Sequence, residues 1–458
     1  MSALALTAAL FLADPAASRV DVSGGVSVEL RGGRAPVDPA SNPEWGILTI
    51  LTPDVDMEVA TRRGTLLNFG YTPRVQYRSA NRLDINRPIL LHQAYATLAQ
   101  QLDPRWVLGV NLGGSVGEAD YNSAPVVLGA DQAELPDAQV LQIAAVSAGA
   151  RLDGRLTRRH TLGFLLNTVY RTPLDTAETT IIVDDDTMDT DTDANNAAGA
   201  GGGVPEQLNV EAGVALNTRV TPVDGVEVSV RPGFFDYNQG GTQYATVQGL
   251  AEWDRQIRPS LSTSVGGGVF YFAGVGDTQS ESIPVQPVLL TSVTGGLVRR
   301  ASHNVDATLG AGVAPYFNRA RISLDSRATL SGNIAINIPP RWTVRVLGAA
   351  LTNATAEPLP DTGNGNPATE TQMRLALPVT YQIDDRQQFE FGFLGTVRGS
   401  HIQADNFEFN QLETWLYVAY RIGAGTARGG QEVGQASSGA VTRSARGDSG
   451  AAASGGRR

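Results

Sequence analysis

The sequence contains neither cysteine nor lysine. The first absence removes disulfides, thiolate nucleophiles and Cys-ligated metals together. The second makes all 35 cationic side chains arginine, as biased codon usage in a GC-rich genome would. Only 18% of residues are charged, yet no apolar run reaches the 18 residues that a spanning helix needs, which excludes a helical membrane protein. A net charge of −11 lacks the basic footprint of a nucleic-acid binder, so no nucleic acid is expected as a partner. By the order of segments and turns set out below, His160 and His303 fall on one rim and His401 on the other, so the four histidines, with His92, do not converge. The letters G-x-S-x-G occur only at 113–117, in and beside an alternating segment and not at a strand-to-helix elbow. Neither catalysis nor a cofactor is therefore expected.

What the chain does have is glycine, 51 residues of 458, and apolar residues that recur regularly from Val20 to Ile422, unlike a disordered chain. Their spacing is two. Leu67, Phe69, Tyr71, Val75 and Tyr77 share one face of an extended segment, opposite Asn68, Thr72, Arg74, Gln76 and Arg78. Leu208, Val210, Ala212, Val214 and Leu216 likewise oppose Asn209, Glu211, Asn217 and Arg219. About eighteen such segments follow one another. They lie at 20–30, 46–60, 65–78, 89–100, 106–116, 140–152, 160–172, 208–220, 226–236, 243–254, 260–273, 285–297, 305–317, 322–338, 343–355, 371–381, 389–398 and 412–422. The run 322–338 is long for a soluble sheet, where strands average about 5–6 residues, whereas a strand crossing a bilayer at a tilt needs about ten.

The connections sort themselves by length. One set is short and turn-like, at 61–64, 101–105, 153–159, 221–225, 255–259, 299–304, 339–341 and 384–388; the alternate set contains the long ones, at 32–45, 117–139, 173–207, 274–284 and 357–370. Short turns on one rim and long loops on the other mark outer-membrane barrels, and an even strand count returns the chain to the side where it began. Trp45, Trp106, Trp253, Trp342 and Tyr420 fall at segment ends, as an interfacial girdle requires, although bulky residues also flank turns generally.

This arrangement resembles porin-like outer-membrane β-barrel proteins of diderm bacteria over residues 20 to 423. A barrel of about eighteen strands with a long loop is also similar to sugar-translocating porins, which line the lumen with aromatics, and to the barrels that accompany polysaccharide export in myxobacteria. Tyr316, Trp415 and Tyr417 are the inward aromatic candidates. The resemblance implies a pore for hydrophilic solutes or an outlet for a secreted polysaccharide. It also implies outer-membrane lipid and the outer-membrane assembly machinery as partners. A non-conducting barrel acting as a surface receptor or structural protein is the alternative.

The expected fold is thus all-β, a single closed transmembrane antiparallel barrel with short periplasmic turns and long extracellular loops. Residues 3–13 form an apolar segment followed by the small residues Ala16, Ala17 and Ser18, though no cation precedes it, so 1–18 reads as a signal peptide. Residues 19–423 read as the barrel and 424–458, rich in Gly, Ser, Ala and Arg, as a disordered periplasmic tail.

Parity assigns both charge signs to the pore lining: Arg74, Arg78, Arg219, Arg231, Arg327, Arg345, Arg374, Arg398 and Arg421 with Glu211, Glu227, Glu252, Asp254, Asp306, Asp325, Glu390 and Glu413. They form either a constriction whose transverse field orients solutes or a set of neutralising pairs that keeps the lumen wet. In the loop 173–207, Asp184, Asp185, Asp186, Asp189, Asp191 and Asp193 have no balancing cation. The alternate spacing of the last three opens like a calcium loop, but Ala194 and Ala200 stand where the turn glycine and the bidentate carboxylate belong, so a solvated acidic loop is the simpler expectation. The short-turn rim is rich in arginine, with Arg62, Arg63, Arg105, Arg155, Arg158, Arg159, Arg255, Arg258, Arg299, Arg300 and Arg341. Such a collar would dock a periplasmic export partner or gather an anionic polymer, or simply supply the charge that turns need.

Overall fold

We analysed a computed structural model, which describes residues 17–35, 44–61, 64–78, 88–120, 140–174, 206–237, 242–275, 282–300, 302–318, 323–358, 368–402 and 407–424. Alternating sequence yields strands throughout. They are β1 (Ala17–Ala35), β2 (Glu44–Thr61), β3 (Thr65–Tyr71 and Arg74–Arg78), β4 (Ile89–Gln101), β5 (Trp106–Asp120), β6 (Val140–Arg155), β7 (His160–Pro173), β8 (Gln207–Arg219) and β9 (Asp224–Tyr237). The second half adds β10 (Thr242–Arg258), β11 (Leu261–Val275), β12 (Ser282–Arg299), β13 (Asn304–Asn318), β14 (Ser323–Ile338), β15 (Trp342–Pro358), β16 (Ala368–Gln382), β17 (Gln387–Ile402) and β18 (Phe407–Ala424).

The two segments of β3 are one strand. Pro73 has no N–H to give the ladder, but the pairings Val55↔Tyr71 and Leu51↔Val75 with β2 stay in step across it, and Thr72 N–H still donates to Gln93 O at 2.8 Å. Eighteen strands therefore go round the sheet, as the alternation predicted. β1 pairs with β18 from Gly24↔Ala424 to Arg34↔Thr414, so the sheet closes and no edge is left to template aggregation. Every neighbouring pair is antiparallel. Barrel pairing begins at Ala17 and ends at Ala424, one or two residues beyond the expected span at each end. The segments expected as signal peptide and tail lie otherwise outside the described residues.

Closure tells the two faces apart. Side chains on the concave side crowd one another, while those on the convex side splay. On β18, Trp415 and Tyr417 are 4% and 7% exposed, whereas their neighbours Leu416 and Val418 are 68% and 45% exposed. The convex face is a continuous belt of such residues, including Val22, Leu30, Leu289 and Leu330. A soluble surface does not carry an apolar area of that extent. Lipid accepts it, provided every backbone polar group is paired within the sheet, and closure provides that pairing. Trp106, Trp253 and Trp342 stand on this face at the short-turn ends, with Tyr381 against Trp342 at 4.6 Å between ring centres. Trp45, the most exposed tryptophan, stands at the opposite end. Belt, girdles and alternating rims together are those of an outer-membrane β-barrel.

The short turns are built locally. Asp103 Oδ1 accepts the N–H groups of Arg105 and Trp106 at 2.6 and 2.9 Å, and Asp384 Oδ1 those of Arg386 and Gln387, both at 2.8 Å. Glycine is needed where backbones meet most closely, as at Gly295 and Gly33. At Gly295, with φ +152°, a Cβ would stand 1.9 Å from Ser260 O, beside a bulge that reaches the β10–β11 turn. At Gly33, on the closing seam, a Cβ would stand 2.0 Å from Thr414 O.

Candidate functional site: the concave face of the barrel

Because side chains alternate, one register decides the whole lining. The pairs Gly233↔Glu211, Glu227↔Glu252 and Ala335↔Arg345 bring Glu211, Glu227, Arg231, Glu252 and Arg345 onto the concave face, in step with Glu390, Glu413 and Arg74 on their own strands. Arg327 and Arg374 are buried there. Arg219 belongs to the mouth instead: it is exposed at the end of β8, and its N–H donates to Arg159 O across the short-turn rim. Arg78, Asp325 and Arg398 hold register positions opposite Leu48, Tyr316 and Gln411. The acidic cluster Asp184 to Asp193 lies outside the described residues. Among the described residues no group of three or more acidic, His or Cys side chains has the geometry of a metal site.

The concave charges fall into three neighbourhoods. Across β6 to β9, Arg151 Nε meets Asp153 Oδ2 at 2.7 Å, and Arg231 Nη1 lies 3.8 Å from Glu211 Oε1. The floor between these pairs is small: Gly163, Gly213 and Ala215 stand side by side, so the Arg231 stem passes 3.3 Å from where a Gly213 Cβ would be. A shallow, open recess results, flanked by Arg151, Arg231, Glu227 and Ser229. Glu227 accepts a bond from Asn217 Nδ2 at 3.3 Å and faces Glu252 directly across the β9–β10 pair, a like-charge juxtaposition that a purely structural surface would avoid.

The second neighbourhood straddles the closing seam. Glu29 and Arg31 form an ion pair on β1. Arg421 Nη2 reaches over β1 from β18 to Asp54 Oδ2 at 3.2 Å, and Tyr95 Oη donates to Asp56 Oδ1 at 2.7 Å. With Glu58, these aspartates make an acidic column at alternate positions of β2. The third covers β16 to β18. Glu390 accepts from Tyr417 Oη at 2.8 Å and from Thr380 Oγ1 at 3.1 Å, and Glu413 from the Trp415 indole N–H. Leu48, Ile50, Ala376 and Leu394 pack with these two aromatics into a buried cluster on the concave side.

Sequence reasoning missed the Glu29–Arg31 pair, the acidic column and the Arg151–Asp153 pair. The signal was there, since Val20, Val22, Val26 and Val28 alternate with Asp21, Ser23, Ser27 and Glu29, and Val55, Met57 and Val59 with Asp54, Asp56 and Glu58. It also missed Tyr244 and Phe272, buried and stacked at 4.5 Å on the concave side of β10 and β11. Phe270, Tyr271 and Phe272 are consecutive, so alternation assigns no side there. The histidines do not converge. His92 bonds Tyr71 Oη at 2.6 Å, with both residues in step with the convex face, His160 and His303 sit by the short turns, and His401 pairs with Thr369 near the other rim.

No protein-family model matches the chain, and no curated protein matches it. Solved structures that resemble it include OccAB4 of Acinetobacter baumannii, at 12% identity and a TM-score of 0.43 over 90% of this chain and 100% of that one. Another is OccK2 (OpdF) of Pseudomonas aeruginosa in complex with glucuronate, at 9% identity and 0.43 over 88% and 98%. The outer membrane protein OpdK of Pseudomonas aeruginosa matches at 12% identity and 0.39 over 88% and 99%.

Proposed function

We propose that this protein is a pore of the bacterial outer membrane for hydrophilic solutes. The observation that carries the reading is a closed sheet of eighteen strands with charged and hydrogen-bonding side chains on its concave face. Barrels of 16–18 strands are wide enough to leave an aqueous channel. The pairs Arg231–Glu211, Arg151–Asp153 and Arg421–Asp54 neutralise one another locally. Weak ion selectivity follows, which suits uncharged hydrophilic solutes such as sugars.

The arginine-rich rim supports a second, finer reading, in which the barrel is the outlet of a polysaccharide export pathway and docks a periplasmic partner. Conductance of the purified protein in a planar bilayer separates the readings. A steady conductance roughly proportional to salt, blocked by added oligosaccharide, is the result expected for an open solute pore. No conductance from a barrel whose migration still shifts on heating would reject the open pore, leaving a gated outlet or a non-conducting surface protein.

A further inference from the structure

The short-turn rim carries a charge pattern opposite to that of the chain. Its described turns hold Arg105, Arg158, Arg159, Arg300, Arg341 and Arg386 against Asp103, Asp384 and Asp385, in a protein of net charge −11. All six arginines are exposed. Asp103 and Asp384 are turned back to cap their own turns. Arg105, Arg158, Arg159, Arg300 and Arg386 have no ion-pair partner among the described residues, and neither has Arg258 beside the β10–β11 turn.

Depth decides what such arginines meet. The described turns are no longer than four residues. A turn of that length doubles back within about 7 Å, at ~3.5 Å per residue, while the headgroup layer is roughly 5–7 Å thick on each side of the hydrocarbon. The turn tips thus stay at headgroup level. Sequence neighbourhood and one side-chain contact fix that level. Arg105 and Arg341 directly precede the girdle residues Trp106 and Trp342, and Arg341 Nη1 donates to Tyr381 Oη at 3.1 Å with its guanidinium 6.0 Å from that ring. Rings of this kind lie at the membrane interface, so the guanidinium clamped to one lies there too.

We propose that the short-turn rim is a binding surface for anionic phospholipid headgroups, with Arg105, Arg158, Arg159, Arg300, Arg341 and Arg386 holding phosphates around the mouth of the barrel. The partner is the leaflet in which the girdle sits. A soluble protein or polysaccharide would meet these side chains only from the aqueous side, whereas a phosphodiester lies level with them, and guanidinium matches its geometry in a bidentate fork. The assignment depends on the barrel spanning a bilayer and not on its conducting.

The test is native mass spectrometry of the full-length protein released from mixed phosphatidylglycerol and phosphatidylcholine vesicles. We expect retained phosphatidylglycerol to exceed phosphatidylcholine by about tenfold, falling to about twofold or less in R105Q/R158Q/R159Q/R300Q/R386Q and as salt is raised. The single variant R341Q, which leaves the other turns intact, should lose part of the preference if the larger variant does not fold. Equal retention of the two lipids by the wild-type protein would overturn the proposal, whatever the variants do. So would a preference unchanged in the folded quintuple variant. Displacement of the bound lipid by inorganic phosphate would reassign the surface to a free anion, and loss of dextran sulfate binding in the variant with unchanged lipid preference would reassign it to a polymer.

Discussion

The concave face is two different surfaces. From β6 to β9 its floor is Gly163, Gly213 and Ala215, and ion pairs stand around an open recess. Around the closing seam, from β16 through β18 and β1 to β2, the same face is filled by Leu48, Ile50, Leu394, Trp415 and Tyr417. Connectivity accounts for the contrast. β6 and β7 are joined by the turn 156–159, and β8 and β9 by 220–223, so the register of each of these pairs is set locally even where little packs on it. No turn joins β1 to β18. Bringing those ends together carries the loop-closure entropy of almost the whole chain, and contacts made only after closure must offset it. The seam is therefore packed like a small core, and Arg421 and Asp54, 367 residues apart, bridge it over β1.

The sharpest way to break this contrast is at the close approach of the seam. Gly33→Val puts a side chain where even a Cβ meets Thr414 O. It should prevent closure, seen as loss of the heat-modifiable folded band in electrophoresis, while Gly213→Val should still fold. Trp415→Ala comes next. It removes a buried aromatic from the cluster and should cost about 3–5 kcal/mol in urea unfolding from vesicles, against about 1 kcal/mol for Leu165→Ala in the recess sector, which is only partly buried. Equal losses at the two sites would refute the idea that the seam is the packed sector.

The Arg421–Asp54 bridge should count for less. Arg421→Gln and Asp54→Asn are each expected to lower stability by about 1 kcal/mol, and the double variant by little more than either alone, because both remove one partly exposed pair. Smallest in stability but visible in function is Arg151→Gln with Arg231→Gln. Unfolding should be unchanged, while reversal potentials in a salt gradient shift toward cations by on the order of twofold in permeability ratio, since Asp153 and Glu211 lose their partners. If selectivity stays the same, the recess does not line the conducting path.

Much of the barrel was legible because a period of two needs no tertiary information. Leu208 to Leu216 and Val226 to Val230 declare their convex face residue by residue. Even Pro73, which interrupts hydrogen bonding, leaves the parity of β3 intact, so reading 65–78 as one strand agrees with the register. The lining was legible as a face but not as a set of partners. Alternation puts Arg231 and Glu211 on the same side; it does not say that glycine at 213 lets them approach, nor that Arg421 finds Asp54. Aromatic runs such as Phe270 to Phe272 were mute, because apolar residues on both sides erase the alternation.

What the sequence determined by itself is local and additive: strand after strand, turn after turn, an apolar side and a polar side, and arginine concentrated in the short turns beside the tryptophans. The pairing of β1 with β18 was decided only in three dimensions, and with it the concave or convex sense of each face, the burial of Trp415 and Tyr417, and the separation of a packed seam from an open recess. Those features depend on contacts between residues hundreds of positions apart, whose free energy exists only once the sheet has closed.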